Sequence, residues 1–361
     1  ILDNLPCTSL LLVADPIAYE KSGASHSLEQ VLDSRKVEIF SEFTPNPSLE
    51  ALVDGIRHYH AIQPDVILAV GGGTAIDLAK LIGFCAVQAV DPVDLIKSPL
   101  GNPRKGIPVI AVPTTAGTGS EATHFAVVYV DGQKYSVAHD YLLPDFAILD
   151  STLTNTMPPK ITADTGLDAL CQAIESMWSV RSTPESIAYA TEAIQLAWRH
   201  LEKAYKRPTE EHRQAMCQAA HLAGKAINIS KTTAPHAISY TITSEFDVAH
   251  GRAVALTLGA VLAFNGNISD SDCSDDRGAE YVRQIVGDIV HLLGFETLQD
   301  AVHGFRDLLK ALDCPTKLSE VGATTDKQIN DIASRVNVNR LSNNPRRLTP
   351  ESLQTILHSI R

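Results

Sequence analysis

DVILAVGGGTAIDLAK, residues 65–80, joins an unbroken apolar run to three glycines and then to a stretch whose apolar residues recur at helical spacing. A short apolar run bounded by glycine reads as a buried strand, and the stretch after it as the helix that packs back on the sheet. Glycines at such a turn let the backbone approach an anion while the first N–H groups of the helix face it. GGGTAIDLAK, residues 71–80, is therefore a candidate dinucleotide site, with Gly72, Gly73, Thr74 and Asp77 as candidate contacts. The pattern is not GxGxxG, and a plain tight connection with Asp77 and Lys80 on the helix surface is the competing reading.

Working outward, SLLLVAD (9–15) and IPVIAVPTT (107–115) repeat the theme of an apolar run ending in polar or turn residues. That alternation marks βα units around a mostly parallel sheet, whose ligands bind at the carboxyl ends of the strands. PTTAGTGSEAT (113–123) is a second loop of this kind. Thr114, Thr115, Thr118 and Ser120 offer hydroxyl and backbone donors to phosphate, ribose or nicotinamide amide, although Ser and Thr also favour caps and turns. Asp15 ends the first strand, where a carboxylate can accept from the adenosine ribose hydroxyls and would repel a 2′-phosphate, so NAD(H) is favoured over NADP(H). Asp after a strand is also ordinary turn chemistry.

After FAILD (146–150) strand-like runs give way to periods near 3.6, with Pro158, Pro159, Pro184, Pro235, Gly251 and Pro345 as punctuation. The expected organisation is a dinucleotide-binding α/β domain over residues 1–155 and a helical metal- and substrate-binding domain over 156–361. A length of 361 residues suits two domains. Hydrophobic residues make up 44% and charged residues 20%, as in a folded globular chain. A net charge of -12 argues against a nucleic-acid or anionic-membrane surface, either of which needs a concentrated basic patch. A small molecule is the expected partner, and an anionic one stays open because a few cations can reverse the potential inside one cleft. No apolar run reaches the roughly 18 residues that span a bilayer, and residues 1–12 lack the charged start of a secretory signal, so a cytoplasmic location is expected. The six cysteines, at 7, 85, 171, 217, 273 and 314, contain no CxxC pair and are expected as reduced thiols. The chain opens on Ile1 rather than Met, so further residues are expected before it.

The helical half carries the candidate metal ligands. Asp168 and Gln172 are four apart in TGLDALCQAIES, and on an amphipathic helix their side-chain oxygens share one face. His236 in TTAPHAISY and His250 in VAHGRAVAL are separated by turn chemistry between two helix-like runs, so a short connection can bring both imidazoles to one point. Spacing alone favours two hydrogen-bonded core histidines over a pair of ligands.

GGGTAIDLAK, PTTAGTGSEAT, TGLDALCQAIES, the His236 and His250 pair and NNPRRLT (343–349) occur in this order, and together they resemble the iron-containing alcohol dehydrogenase family over nearly the whole chain. The resemblance implies a Rossmann-like α/β domain followed by an all-α domain, the architecture shared with dehydroquinate synthase-like proteins, with the active site in the cleft between them and a homodimer as the common assembly. It implies NAD(P)H-dependent reduction of a small aldehyde to an alcohol: hydride passes between nicotinamide C4 and the carbonyl carbon while a divalent metal, Fe(II) or Zn(II), polarises the oxygen. The family's ligands are one Asp and three His, which fall on Asp168, His236 and His250. Gln172 stands where the remaining His is expected. An amide oxygen is a neutral and harder ligand than imidazole, which opens the metal's identity, and even its presence, to question.

Tyr240 stands where many members carry a further His, and Tyr240 and His250 are the candidate catalytic residues, the phenol as proton donor or relay. Asn46 in TPNPS and Lys134 in DGQKYSV match positions that bind the dinucleotide in relatives. Residues 228–243 with 250–259 look most like the phosphonoacetaldehyde reductase branch, which forms 2-hydroxyethylphosphonate in phosphonate biosynthesis. Lys231, Thr232 and Arg252 are then candidate substrate contacts through charge-assisted hydrogen bonds. The competing readings are a general short-chain alcohol dehydrogenase or maleylacetate-type reductase, a dehydroquinate synthase-like cyclase or lyase, and a catalytically inactive NAD-binding sensor.

Overall fold

The computed structural model describes residues 1–98 and 101–361, which form two compact units, Ile1–Met157 and Pro158–Arg361. The first unit runs β1 (Ser9–Ala14), α1 (Pro16–Lys21), α2 (Ala24–Asp33), β2 (Lys36–Phe40), α3 (Leu49–Ile62), β3 (Val66–Gly71) and α4 (Gly73–Cys85). It continues through α5 (Pro92–Lys97), β4 (Val109–Pro113), β5 (Phe125–Val130), β6 (Gln133–Ala138) and β7 (Phe146–Ala147). Five strands make one parallel sheet in the order β2-β1-β3-β4-β7. This order places β3 at the centre between β1 and β4, with the carboxyl ends of the three side by side.

The unbroken apolar runs follow from burial on both faces of a parallel sheet. Leu11 and Val13 of β1 enter one core with Ile67, Ala69, Ile76 and Leu78, whereas Leu10, Leu12 and Ala14 enter the other with Leu68, Val70 and Ile110. Alternate residues thus feed opposite faces, as the strand period of two requires. β5 and β6 form an antiparallel hairpin outside this sheet, an element absent from the alternation read along the sequence. Its signal is Asp131-Gly132, both at positive φ (50° and 75°), as a two-residue hairpin turn demands.

The second unit contains α6 (Pro159–Trp178), α7 (Pro184–Lys206), α8 (Glu210–Ser230), α9 (Ala234–Phe246), α10 (His250–Gly266) and α11 (Ala279–Leu292). α12 (Leu298–Ala311), α13 (Asp326–Arg335), α14 (Val338–Leu341) and α15 (Pro350–Ser359) complete it. Among the described residues it contains no strand, and the isolated bridge between Cys273 and Arg346 is its only extended pairing. The expected amphipathic character of the helix carrying Asp168 is not what the fold uses. α6 packs against α7, α8, α10 and α11, and it is buried on all sides from Gly166 to Trp178. A helix enclosed this way can place polar residues only where other groups satisfy them.

The NNPRRLT segment braces this unit. Asn343 Nδ2 donates to the carbonyls of Ser230 and Thr232, both at 2.9 Å, and Asn344 exchanges amide hydrogen bonds with Asn265. Arg346 pairs with Asp272 at 2.7 Å and donates to the Phe264 carbonyl. Among the described residues no helix is long and apolar enough to cross a membrane.

Candidate functional site

Gly71 to Gly73 turn the chain from β3 into α4, and their missing side chains are a steric requirement. A Cβ on Gly71, whose φ is 155°, would lie 2.8 Å from the Ala75 Cβ, and one on Gly73 would lie 2.8 Å from Thr118 Cγ2. A Cβ on Gly72 would stand 3.3 Å from Thr115 Oγ1, so the two loops meet through glycine on one side and hydroxyls on the other. Thr114 follows β4, and its N–H donates to the Gly71 carbonyl at 2.9 Å. Its hydroxyl is buried with no hydrogen-bond partner among the described residues. Thr74 lies in the first turn of α4, half-buried.

Asp77 and Ser120 bond to each other, and Asp77 also accepts the Val127 N–H at 2.9 Å. Both therefore hold the second loop and the hairpin against α4. Lys80, read above as a possible helix-surface residue, is 1% exposed. Its ammonium donates to the Ser120 carbonyl (2.8 Å), Ser120 Oγ (3.1 Å), Thr123 Oγ1 (3.2 Å) and the Phe125 carbonyl (2.6 Å), with Asp77 at 3.8 Å. The reason for the difference is tertiary: the surface of α4 that carries Lys80 is roofed by a loop 40 residues further on.

Asp15 caps α1 by accepting the Ala18 N–H at 2.7 Å, which leaves its second oxygen at the end of β1. Asn46 is exposed at φ 66° in the stretch before α3. The next residue, Pro47, accepts the Tyr129 N–H at 2.8 Å, and Tyr129 is paired across the hairpin with Lys134. Asn46 and Lys134 thus flank one point of the hairpin. Lys134 lies within β6 and is half-buried.

In the helical unit, ligand atoms of Asp168, His236 and His250 lie within 4.8 Å of one another. Asp168 and His236 are each 4% exposed, and Gln172 lies one turn beyond Asp168 on α6, also 4% exposed. The His236 and His250 rings meet edge to face with centroids 5.4 Å apart. Ser239 lies 3.4 Å from His250 Nδ1.

Glu175, which the spacing argument passed over, organises this cluster. It is 0% exposed and sits on α6 seven residues after Asp168, on the same side of the helix. Its carboxylate accepts from the Thr233 N–H at 2.9 Å, Thr233 Oγ1 at 3.0 Å and the His236 N–H at 3.4 Å, and it is bonded to His236 Nδ1. His236 Nε2 lies 3.2 Å from Asp168 Oδ1. The ring is therefore oriented by one carboxylate, with its second nitrogen presented to the cluster, as in histidine metal ligands held by an outer carboxylate. Burial opposes a charged imidazole, but Glu175 and Asp168 outweigh it and raise His236 to about 9.

Gly251 explains how His250 reaches Asp168. A Cβ at that position would fall 1.8 Å from the Asp164 carbonyl oxygen and 3.1 Å from Asp168 Cβ. α10 can approach α6 this closely only without a side chain there. Gly251→Ala is expected to cost roughly 2–3 kcal/mol through overpacking and to separate His250 from Asp168. Thermal unfolding together with metal content checks this; unchanged metal retention would refute the second part.

Tyr240 stacks on His250, with centroids 5.7 Å apart and planes 11° from parallel. Burial raises its phenol above the ordinary tyrosine range, while Arg340 pulls it back. Lys231, exposed at the end of α8, adopts φ 60° and ψ 172°, a region that side-chain-bearing residues rarely enter. The carbonyls on either side of it, of Ser230 and Thr232, are the two that Asn343 holds. Arg252 is bonded to Asp164 and lines a cavity of about 600 Å³ with Lys160, Asp247, Cys314 and Glu320. Asp168, Gln172, His236 and His250 are not in its lining, although Arg252 lies two residues after His250 on α10.

A parallel α/β unit with two loops at its strand ends, and a helical unit with a carboxylate-braced Asp-His-His cluster, define the class. Residues 1–151 match the iron-containing alcohol dehydrogenase family and residues 162–361 match its C-terminal domain, so the chain belongs to that family and is an oxidoreductase. It is 35% identical over 310 residues to phosphonoacetaldehyde reductase of Streptomyces viridochromogenes, covering 83% of this chain and 77% of the relative. It is 32% identical to NADPH-dependent butanol dehydrogenase of Clostridium saccharobutylicum, covering 90% of this chain and 84% of that one. Among solved structures, sulfoacetaldehyde reductase from Bifidobacterium kashiwanohense in complex with NAD+ matches with a TM-score of 0.89 at 30% identity, over 99% of this chain and 92% of that chain.

Proposed function

We propose that the protein reduces a two-carbon aldehyde carrying an anionic tetrahedral head, phosphonoacetaldehyde above others, to the corresponding alcohol with NADH. The observation that carries the chemistry is the Asp168, His236 and His250 cluster with Glu175 behind it. The donor set fits a divalent metal: one carboxylate and two imidazoles converge, and His236 has one nitrogen anchored and one directed inward. The buried Thr114 hydroxyl without a partner and the glycine turn beside it fit a dinucleotide, which would supply that hydroxyl with a bond. The substrate rests on the likeness to the phosphonoacetaldehyde and sulfoacetaldehyde reductases.

When bound, the dinucleotide supplies the hydride and the metal draws charge from the carbonyl oxygen. Asp168, His236 and His250 would hold the metal, and Gln172 is positioned on α6 to add an amide oxygen. Gly72, Gly73 and Thr114 would receive the phosphates, and the free oxygen of Asp15 favours NAD(H) by repelling a 2′-phosphate. Tyr240, kept protonated by burial and held against His250, donates its proton to the oxygen of the reduced product. The setting is read as cytoplasmic, in keeping with six cysteines that form no disulfide among the described residues.

The test is a panel of phosphonoacetaldehyde, sulfoacetaldehyde and butanal with NADH and NADPH. The anionic aldehydes are expected to exceed butanal by at least about tenfold in kcat/KM, the scale of one charge-assisted contact. A preference for butanal would favour a general short-chain alcohol dehydrogenase, and no turnover of any aldehyde would end the reductase reading.

A further inference from the structure

We infer that Arg340 is the cation that recognises the anionic head of the substrate, a specificity role that rests on the reading of an anionic aldehyde given above. Arg340 belongs to the short helix α14, a hundred residues from Tyr240 in the chain. Its guanidinium carbon lies 4.4 Å from the centroid of the Tyr240 ring. The same ring stacks on His250 at 5.7 Å, and His250 is a member of the metal cluster. A positive group therefore stands two ring contacts from the cluster that would hold the metal.

The charge on Arg340 is not balanced locally. Among the described residues no carboxylate pairs with it, in contrast to Arg252 with Asp164, Arg277 with Asp275 and Arg346 with Asp272. It is half-buried, lies over the Tyr240 ring and hydrogen-bonds the Tyr240 side chain, which engages one face of the cation and part of its five-donor fork. The N–H groups of the fork beyond the one bonded to Tyr240 can bind a phosphonate or sulfonate through parallel N–H bonds. In a molecule of net charge -12, an anionic substrate needs such a local reversal of potential. A two-carbon aldehyde of this kind is bifunctional, with a carbonyl at one end and a tetrahedral anion at the other. A neutral short aldehyde would make the first contact and not the second.

Lys231 and Arg252 were the cations expected for this task. Arg252 is bonded to Asp164 and Lys231 is exposed at the end of α8, and among the described residues neither is found over the Tyr240 ring. Arg340 was not visible as a candidate because nothing in NVNRLSNNP marks one arginine as facing a site.

The experiment compares wild type, Arg340→Gln and Arg340→Lys, each metal-loaded, on phosphonoacetaldehyde and on butanal, together with titration of 2-hydroxyethylphosphonate into the NAD-loaded protein. Arg340→Gln is expected to lower kcat/KM for phosphonoacetaldehyde by 10- to 100-fold, mostly through KM, and to weaken 2-hydroxyethylphosphonate binding equally, whereas butanal loses at least about tenfold less, and through kcat, because Tyr240 loses its neighbouring charge with either aldehyde. Arg340→Lys should recover part of the loss, because the charge remains and the fork is gone. An equal loss on both aldehydes would overturn the inference and make Arg340 a support for Tyr240. No change on either would overturn it as well. A wild type that reduces butanal but neither reduces phosphonoacetaldehyde nor binds its alcohol would instead overturn the substrate reading on which the inference stands.

Discussion

Glu175→Gln is expected to fold almost as the wild type and to lose its metal, whereas Glu175→Ala loses both. The carboxylate is fully buried and accepts at the first turn of α9, where the Thr233 and His236 N–H groups lack intrahelical partners. Glutamine keeps the shape and one acceptor oxygen, so those bonds survive. Its amide, however, donates toward His236 Nδ1, which forces the ring proton onto Nε2, the nitrogen presented to Asp168. A protonated nitrogen is not a ligand, and metal affinity is expected to fall by about 10- to 100-fold, with activity following. Alanine leaves two buried N–H groups and an imidazole without their partner, at a cost of roughly 3–5 kcal/mol. Metal analysis after dialysis and thermal unfolding of the apo and loaded proteins separate the two variants. A glutamine variant that retains metal as well as wild type would show that Glu175 does not set the tautomer.

Lys80→Met should destabilise the first unit by about 3 kcal/mol and weaken dinucleotide binding with it. The ammonium ties α4 to four acceptors in the loop and strand that follow β4, so its loss leaves the Ser120 and Phe125 carbonyls without that donor and Asp77 without its cation. Thr114, Thr115 and Thr118 belong to the same loop and would lose their placement. Burial pulls Lys80 down to about 8, against the upward pull of Asp77 and Glu121. An unfolded lysine titrates near about 10.4, so between these values the unfolded chain binds more protons than the folded one. Wild-type stability relative to Lys80→Met is therefore expected to rise with pH from about 8 to about 10.4 and to be flat below that window. Urea unfolding of the pair at pH 7, 8.5 and 10 checks this. A constant difference would mean that the lysine keeps its ordinary affinity for the proton inside the fold.

Both variants concern residues whose importance the linear sequence hid. Lys80 reads as the polar end of an ordinary helix because its partners lie 40 to 45 positions away. Glu175 lies inside a motif that spacing had already singled out, yet attention went to Asp168 and Gln172, four apart, rather than to the group seven residues on. The hairpin of β5 and β6 was legible from Asp131-Gly132 between alternating apolar residues, since the turn itself demands that chemistry.

What the sequence determined by itself is what short-range physics controls. Unbroken apolar runs produced the parallel strands, glycine at 71–73 produced the turn into α4, and helical spacing with turn residues between His236 and His250 brought two imidazoles together. What only the tertiary structure decided depends on which distant groups share one desolvated place. The opening stretch shows both: Gly72 and Gly73 form the strand-to-helix turn read from local geometry, while Asp77 and Lys80 become interior clamps once a later loop excludes water from them. The same holds across the Asp-His-His cluster, where Gly251 must lack a side chain because α6 passes against it, and where Arg340 meets Tyr240 across a hundred residues. Burial turns such meetings into obligations, because a polar group removed from water must find its partner in whatever the fold brings next to it.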